Sequence, residues 1–175
     1  MKIFIFITTL ILLISCSQKV KQKEENFTNL SFLGSGDTLF LFFRDTKCGE
    51  WGGDRQTIYV YKDNYKGKNN ILLDINECKM DCDSIEKYFS KPIEKSFEKK
   101  RIKIDQRKLN LLSKAIEELI RLQMNFDANQ AVSNSGCFSG MRNSNEKLTI
   151  GIYPSPKWVT FEKLFNFIKK VKTKN

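Results

Sequence analysis

This chain of 175 residues contains no histidine. That absence removes the commonest general base, the usual ligands of zinc enzymes and every histidine-dependent catalytic triad. It also leaves the thiols without the base that activates a catalytic cysteine. Acids are scarce against bases, 20 to 30, for a formal charge of +10. The excess is lysine, 24 against 6 arginines, spread along the chain among many Asn and Ile residues, so it reads as compositional rather than as a binding patch. The glycine-rich stretch "GEWGGDR" has no P-loop lysine at the right offset and connects two strands, so it is no phosphate cradle. The acidic stretch Asp74, Glu77, Asp81, Asp83 and Glu86 lacks the mid-loop glycine and ligand order of an EF-hand, and is expected to be a solvated turn leading into a short helix near Ile85, Tyr88 and Phe89, which Pro92 ends. No internal repeat is visible.

The longest apolar run is N-terminal. Lys2 supplies a positive start, and Ile3 to Ile14 are broken only by Thr8 and Thr9. About 20 apolar residues are needed to span a bilayer, so this run has the length of a secretory signal instead. It ends in Leu13-Ile14-Ser15-Cys16, which resembles the lipobox of bacterial lipoproteins. The resemblance implies that residues 1–15 are a cleaved signal peptide and that Cys16 is lipidated. Several acyl chains would then hold the chain stably on a membrane. Ser17 is not the aspartate that retains some lipoproteins at the inner membrane, which points to the cell envelope at the periplasmic face of the outer membrane. An exported chain rarely meets nucleic acid, so none is expected as a partner, and the basic charge is left to ordinary steering toward anionic lipid or wall polymers.

Residues 16–34 form a lipidated cysteine and a polar tether with little to bury. Residues 35–175 are one domain by length, long enough to bury a real core. The expected fold is α+β: an antiparallel sheet of about five strands with two main helices packed on it. Thr38–Arg44, "TLFLFFR", is apolar on both faces and reads as a central strand covered on both sides. Thr57–Lys62 alternates, Ile71–Ile75 is a third strand, and the three make a meander. Phe97–Ile104 is an extended basic strand. Asp105 is an N-cap for a helix whose stripe is Leu109, Leu112, Ile116, Leu119 and Ile120. Gln130–Ser133 is a candidate strand, "NSGCFSG" a loop around Cys137 and Phe138, and Lys147–Tyr153 a strand. A last helix starts near Ser155-Pro156 or slightly later and offers Trp158, Phe161, Leu164, Phe165, Ile168 and Val171 for burial.

Four further cysteines, Cys48, Cys78, Cys82 and Cys137, read as two disulfides in an exported protein. Three pairings are possible. Local closure of "CKMDC" by Cys78 and Cys82, leaving Cys48 to Cys137, is the favoured one; the rivals are free thiols and a four-thiolate zinc site, the latter with poor spacing. No metal or other cofactor is expected.

The stretch "CGEWGGDR" is the candidate site. Its glycines let the loop fold back tightly, and Glu50, Trp51, Asp54 and Arg55 make the candidate binding surface, since Trp and Arg are favoured interface anchors. The rival position for Trp51 is packed beneath the loop, capping the sheet. No catalytic residue is assigned. The function expected is a non-enzymatic envelope module, inhibitor-like or immunity-like, that binds a protein or a cell-wall component. The alternative is a carboxylate-dependent wall hydrolase pairing Glu50 with Asp54 or with an acid from 74–86. The loop, together with "LTIGIYPSPKW" and the helix after it, is similar to features of small uncharacterised lipoproteins of Bacteroidota, over roughly residues 38–62 and 147–170, a likeness that implies no activity.

Overall fold

The computed structural model describes residues 30, 33–34, 36–49, 52–63, 70–83, 94–126 and 136–171. Six strands build one sheet: β1 (Thr38–Arg44), β2 (Arg55–Asp63), β3 (Asn70–Met80), β4 (Glu94–Lys103), β5 (Phe138–Asn143) and β6 (Thr149–Ile152). Their order is β4-β3-β2-β1-β5-β6, antiparallel throughout. Helices α1 (Gln106–Met124) and α2 (Val159–Lys170) pack on each other and on one face. The α+β architecture is therefore as expected, with one strand more. The first four strands form a meander. The connection that contains α1 then carries the chain from the β4 edge past three strands, so that β5 pairs with β1 on its other side.

The alternation of "TLFLFFR" decides which face is core. Leu39 and Leu41 of β1, Ile58 and Val60 of β2, and Leu73 and Ile75 of β3 are at most 1% exposed and belong to one core with residues of both helices. Leu30 and Leu33, just before β1, join the same core. Strand β1 was expected to be covered on both faces. Instead, Phe40 and Phe42 are only half-buried, on a face that carries no helix among the described residues. Antiparallel sheets tolerate one wet face, and aromatic neighbours give these rings partial cover: Phe40 stands edge-on to Tyr59 at 5.4 Å, and the Arg142 guanidinium lies 5.3 Å from its ring centre.

Helix α1 begins where its N-cap requires. The Asp105 carboxylate accepts from the Lys108 amide at 2.9 Å and pairs with the buried Lys108 ammonium, and those contacts, the side-chain bond foremost, hold its carboxyl below the usual range. Leu112, Ala115, Ile116 and Leu119 are buried, with Leu109 and Ile120 packed beside them. Helix α2 starts at Val159, three residues beyond Pro156, and Trp158 occupies the N-cap without a side-chain cap. The cap comes from α1: Glu118 accepts from the Val159 amide at 3.2 Å and the Thr160 amide at 2.7 Å. A carboxylate there also complements the helix dipole.

Two further expectations are corrected. Asp74 and Glu77 do not lie in a solvated turn; β3 runs on to Met80 and takes both. Asp74 ties the edge of the sheet, accepting from the Tyr61 hydroxyl at 2.9 Å and from the amide of Arg101 at 2.7 Å, where β4 bulges and Arg101 takes φ 56°. Burial, and then the bond to Asp74, push the Tyr61 phenol up to about 12. "NSGCFSG" is likewise not wholly a loop, because Phe138 opens β5, whose Gly140 lies beneath the Phe42 ring of β1. The short helix near Ile85 and the strand at Gln130–Ser133 lie outside the described residues.

Glu77 is 7% exposed on the helix side, where Gln56 donates to Oε1 at 3.1 Å and Lys169 pairs with Oε2. Burial by itself raises its pKa, but donation by Lys169 and Gln56 outweighs burial, so the carboxyl sits below its ordinary value. A depressed folded pKa contributes stability that is complete above the unfolded value of about 4.3 and is lost as pH falls through the folded value. Urea unfolding at stepped pH is expected to show this acid-side loss in the wild type, with a smaller slope in Glu77→Gln.

Candidate functional site

The "CGEWGGDR" connection joins β1 to β2 and is built around one carboxylate. Asp45 Oδ1 accepts from the Lys47 amide at 3.1 Å and from the Asp54 amide at 2.8 Å, drawing both limbs together. The Cys48 amide donates to the Gly52 carbonyl at 2.7 Å, closing a tight inner turn in which Gly49 and Gly52 have φ of +62° and +88°. Gly53 serves differently: a Cβ there would collide with the Asp45 carboxylate and come within 2.7 Å of the Lys47 nitrogen.

The loop is stapled to the end of β3. Asp54 Oδ1 accepts from the Met80 amide at 2.9 Å, and Lys47 donates to the Met80 carbonyl at 3.1 Å. Cys48 bonds Cys82 across a Cα separation of 5.2 Å. This overturns the favoured pairing of Cys78 with Cys82 and Cys48 with Cys137. The reason is the length of β3. Its register sets Cys78 opposite Arg55, within the ladder, and carries Cys82 past the strand end to the loop. Cys137 lies beyond β1, immediately before β5. Cys78 and Cys137 carry thiols. The disulfide also consumes two of the four thiols that the rival zinc site needs.

Of the candidate surface residues, Glu50 and Trp51 lie outside the described residues. Asp54 is half-buried and holds the loop rather than offering its carboxylate to solvent. Arg55 is exposed, on the face away from the helices, with Nη2 3.8 Å from Cys78 Sγ. It stands directly opposite Arg44 in the β1–β2 register.

These two arginines border a cavity of about 480 Å³ whose lining includes Phe42, Thr57, Phe138 and Tyr153. Its floor is made by subtraction. Gly140 and Gly151 face each other across β5 and β6; the Phe42 ring occupies the space where a side chain at 140 would be, and a Cβ at 151 would rest in ordinary contact with the Phe138 ring. Those rings pack at 5.3 Å with a 30° tilt. The loop shapes the rim as well: a Cβ on Gly52 would press within 3.3 Å of Arg44 Cδ, so glycine at 52 lets the arginine stem lie across the turn. Gly140→Ala is expected to cost about 1 to 3 kcal/mol as overpacking, because its methyl would meet both Phe42 and the Ile150 carbonyl, at 2.8 Å from the latter. Chemical denaturation of the variant checks this.

A second cavity, of about 470 Å³, opens on the helix side of the same loop, lined among others by Asp45, Asp54, Gln56, Cys137 and Glu162. Among the described residues, no group of three Cys, Asp or Glu side chains is placed to hold a metal ion.

Sequence reasoning singled out the loop and did not single out Arg44, Phe138, Tyr153 or the two glycines of the cavity beside it. The signal for Arg44 was present: a tight connection between "TLFLFFR" and "RQTIYVYK" puts the two arginines opposite each other. The remaining residues come from β5 and β6, whose position beside β1 is a matter of topology. No protein-family model, no curated protein and no solved structure matches this chain.

Proposed function

We propose that this chain is a non-enzymatic binding module, held on a membrane of the cell envelope by lipid on Cys16, that takes its partner at the loop end of the sheet. The observation that carries the reading is the arginine-bordered aromatic cavity beside the loop. A flat aromatic floor with charged groups around it is the composition of an interface anchor site. Placement supports the same reading. The chain reaches the sheet at Thr38, tied there by the Leu30 and Leu33 core contacts, whereas the loop follows Arg44. Seven extended residues separate the two ends by roughly 20 Å, so the loop lies at the opposite end of β1 from Thr38.

The hydrolase alternative requires a carboxylate free to act as acid or nucleophile near Glu50. Asp45 and Asp54 are both committed to backbone amides of the loop, which weighs against it.

Two measurements test the reading. The intact mass of the mature chain is expected to begin at acylated Cys16, and Cys16→Ala is expected to leave the membrane fraction. Crosslinking in intact envelopes is expected to capture a partner that Trp51→Ala loses while its circular dichroism stays unchanged. Capture that survives in the folded variant, or turnover of peptidoglycan fragments that Glu50→Gln abolishes, would overthrow the binding-module reading.

A further inference from the structure

Part of the basic charge that is scattered along the sequence is gathered by the fold at one end of the sheet, the end where Thr38 opens β1. The register sets Tyr61 opposite both Thr38 and Leu72, and Lys103 opposite Leu72, so Lys62 and Lys103 stand where β2 and β4 finish at this end. Arg107 follows in the first turn of α1. Lys147 lies in the connection from β5 to β6, which the Thr38 amide joins to β1 by donating to the Ser144 hydroxyl at 3.1 Å. Among the described residues, four acids share this end, and each is engaged. Asp63 pairs with Arg101, Asp105 with Lys108 and Glu146 with Arg142, while Asp37 accepts from the Gly34 amide and the Ser144 hydroxyl. Lys62, Lys103, Arg107 and Lys147 form no ion pair among the described residues. Lys103, Arg107 and Lys147 are exposed, and Lys62 is half-buried. Residues 64–69, "NYKGKN", contain two more lysines and no acid, so their sequence cannot cancel the surplus.

We infer that this end of the sheet seats on a bilayer containing anionic phospholipid, with the loop end of β1 turned away from it. The inference rests on the reading that Cys16 carries lipid, and adds a second, electrostatic attachment that orients the domain. The bases are set across the sheet from β4 to the β5–β6 connection, a breadth of roughly 20 Å at the ordinary spacing of strands. An array of that width matches a charged plane better than a single headgroup or one polymer chain. Residues 17–29 can separate Cys16 from Leu30 by at most about 50 Å, so a lipid on Cys16 keeps the bilayer within reach, and weak attraction then suffices to settle the domain. Lysine and arginine are drawn to anionic lipid only within about a Debye length of the surface, about 8 Å at physiological salt. The loop end, a strand length away, lies outside that range, so the attraction acts on the basic end alone.

The test is lysine acetylation of the full chain, read by peptide mass, on vesicles of phosphatidylcholine and on vesicles that also hold about 30% phosphatidylglycerol. Lys103 and Lys147 are expected to react roughly threefold or more slowly on the anionic vesicles, an effect that about 0.5 M sodium chloride removes. Lys79, near the loop end of β3, and Lys163 on α2 are exposed and are expected to react equally on both. Joint Lys103→Gln and Lys147→Gln substitution is expected to abolish the lipid-dependent protection that remains at Lys62, with near-ultraviolet circular dichroism confirming the fold. Equal rates on the two vesicles, protection of Lys79 in place of Lys103 and Lys147, or protection that survives the salt would each overturn the inference. Stronger protection by a soluble acidic polysaccharide, added to neutral vesicles, would assign this end to a wall polymer and overturn it too. In all these cases, flotation of the chain with neutral vesicles leaves the lipid-anchor reading standing. Failure to float with them removes both.

Discussion

Reduction of the Cys48–Cys82 disulfide is expected to remove about 4 kcal/mol of stability, the chain-entropy value for a loop closed over a separation of 34 residues. The loop contains β2, β3 and their hairpin connection, so the crosslink restricts the unfolded chain through a large part of the meander. Cys48→Ala with Cys82→Ala is expected to lower the urea midpoint of the domain by the same free energy and to leave the wild type as the only form sensitive to reductant. Peptide mapping of the oxidised protein is expected to recover Cys48 joined to Cys82. A Cys78–Cys82 crosslink would mean that β3 ends before Cys78, and the loop would then lose its attachment to Met80 as well. Because the staple lies at the pole that carries the arginine cavity, reduction is also expected to weaken any ligand bound there before the domain unfolds.

Trp158→Ala is expected to destabilise the domain by about 3 to 5 kcal/mol, the range for removing a fully buried large aromatic residue. Trp158 is 1% exposed, stacks on Phe161 with ring centres 4.6 Å apart, and donates from Nε1 to the Ala115 carbonyl at 2.9 Å. It is the joint at which α1, α2 and the sheet meet: Phe161 also packs against Phe43 of β1 and Phe165 of its own helix. The neighbouring Glu118 cap on α2 depends on the same approach of the helices. Trp158→Phe keeps an aromatic ring and loses the donor, and is expected to recover much of the lost stability. Thermal and urea unfolding of the two variants measure the difference. A cost near zero for Trp158→Ala would mean that the joint is not formed as described.

The sequence by itself determined whatever depends on short-range periodicity and capping. The alternation in residues 57–62, the stripe from Leu109 to Ile120, the Asp105 cap and the apolar set from Trp158 to Ile168 each follow from the pitch of a strand or helix, and each is where it was expected. The glycines of "CGEWGGDR" were legible for the same reason, since positive φ is a local property. Tertiary structure decided what depends on which strands become neighbours. Only the register of β2 on β3 sets Cys78 inside the ladder and brings Cys82 to Cys48. Only the return of the chain through α1 brings β5 beside β1, with β6 beyond it, so that Gly140 and Phe138 meet Phe42 and complete the floor. Residues 94 and more apart in the chain line one cavity, and nothing local to either stretch specifies that encounter. The encounter is fixed by burying one apolar face of the whole sheet under two helices, a condition that no segment satisfies alone.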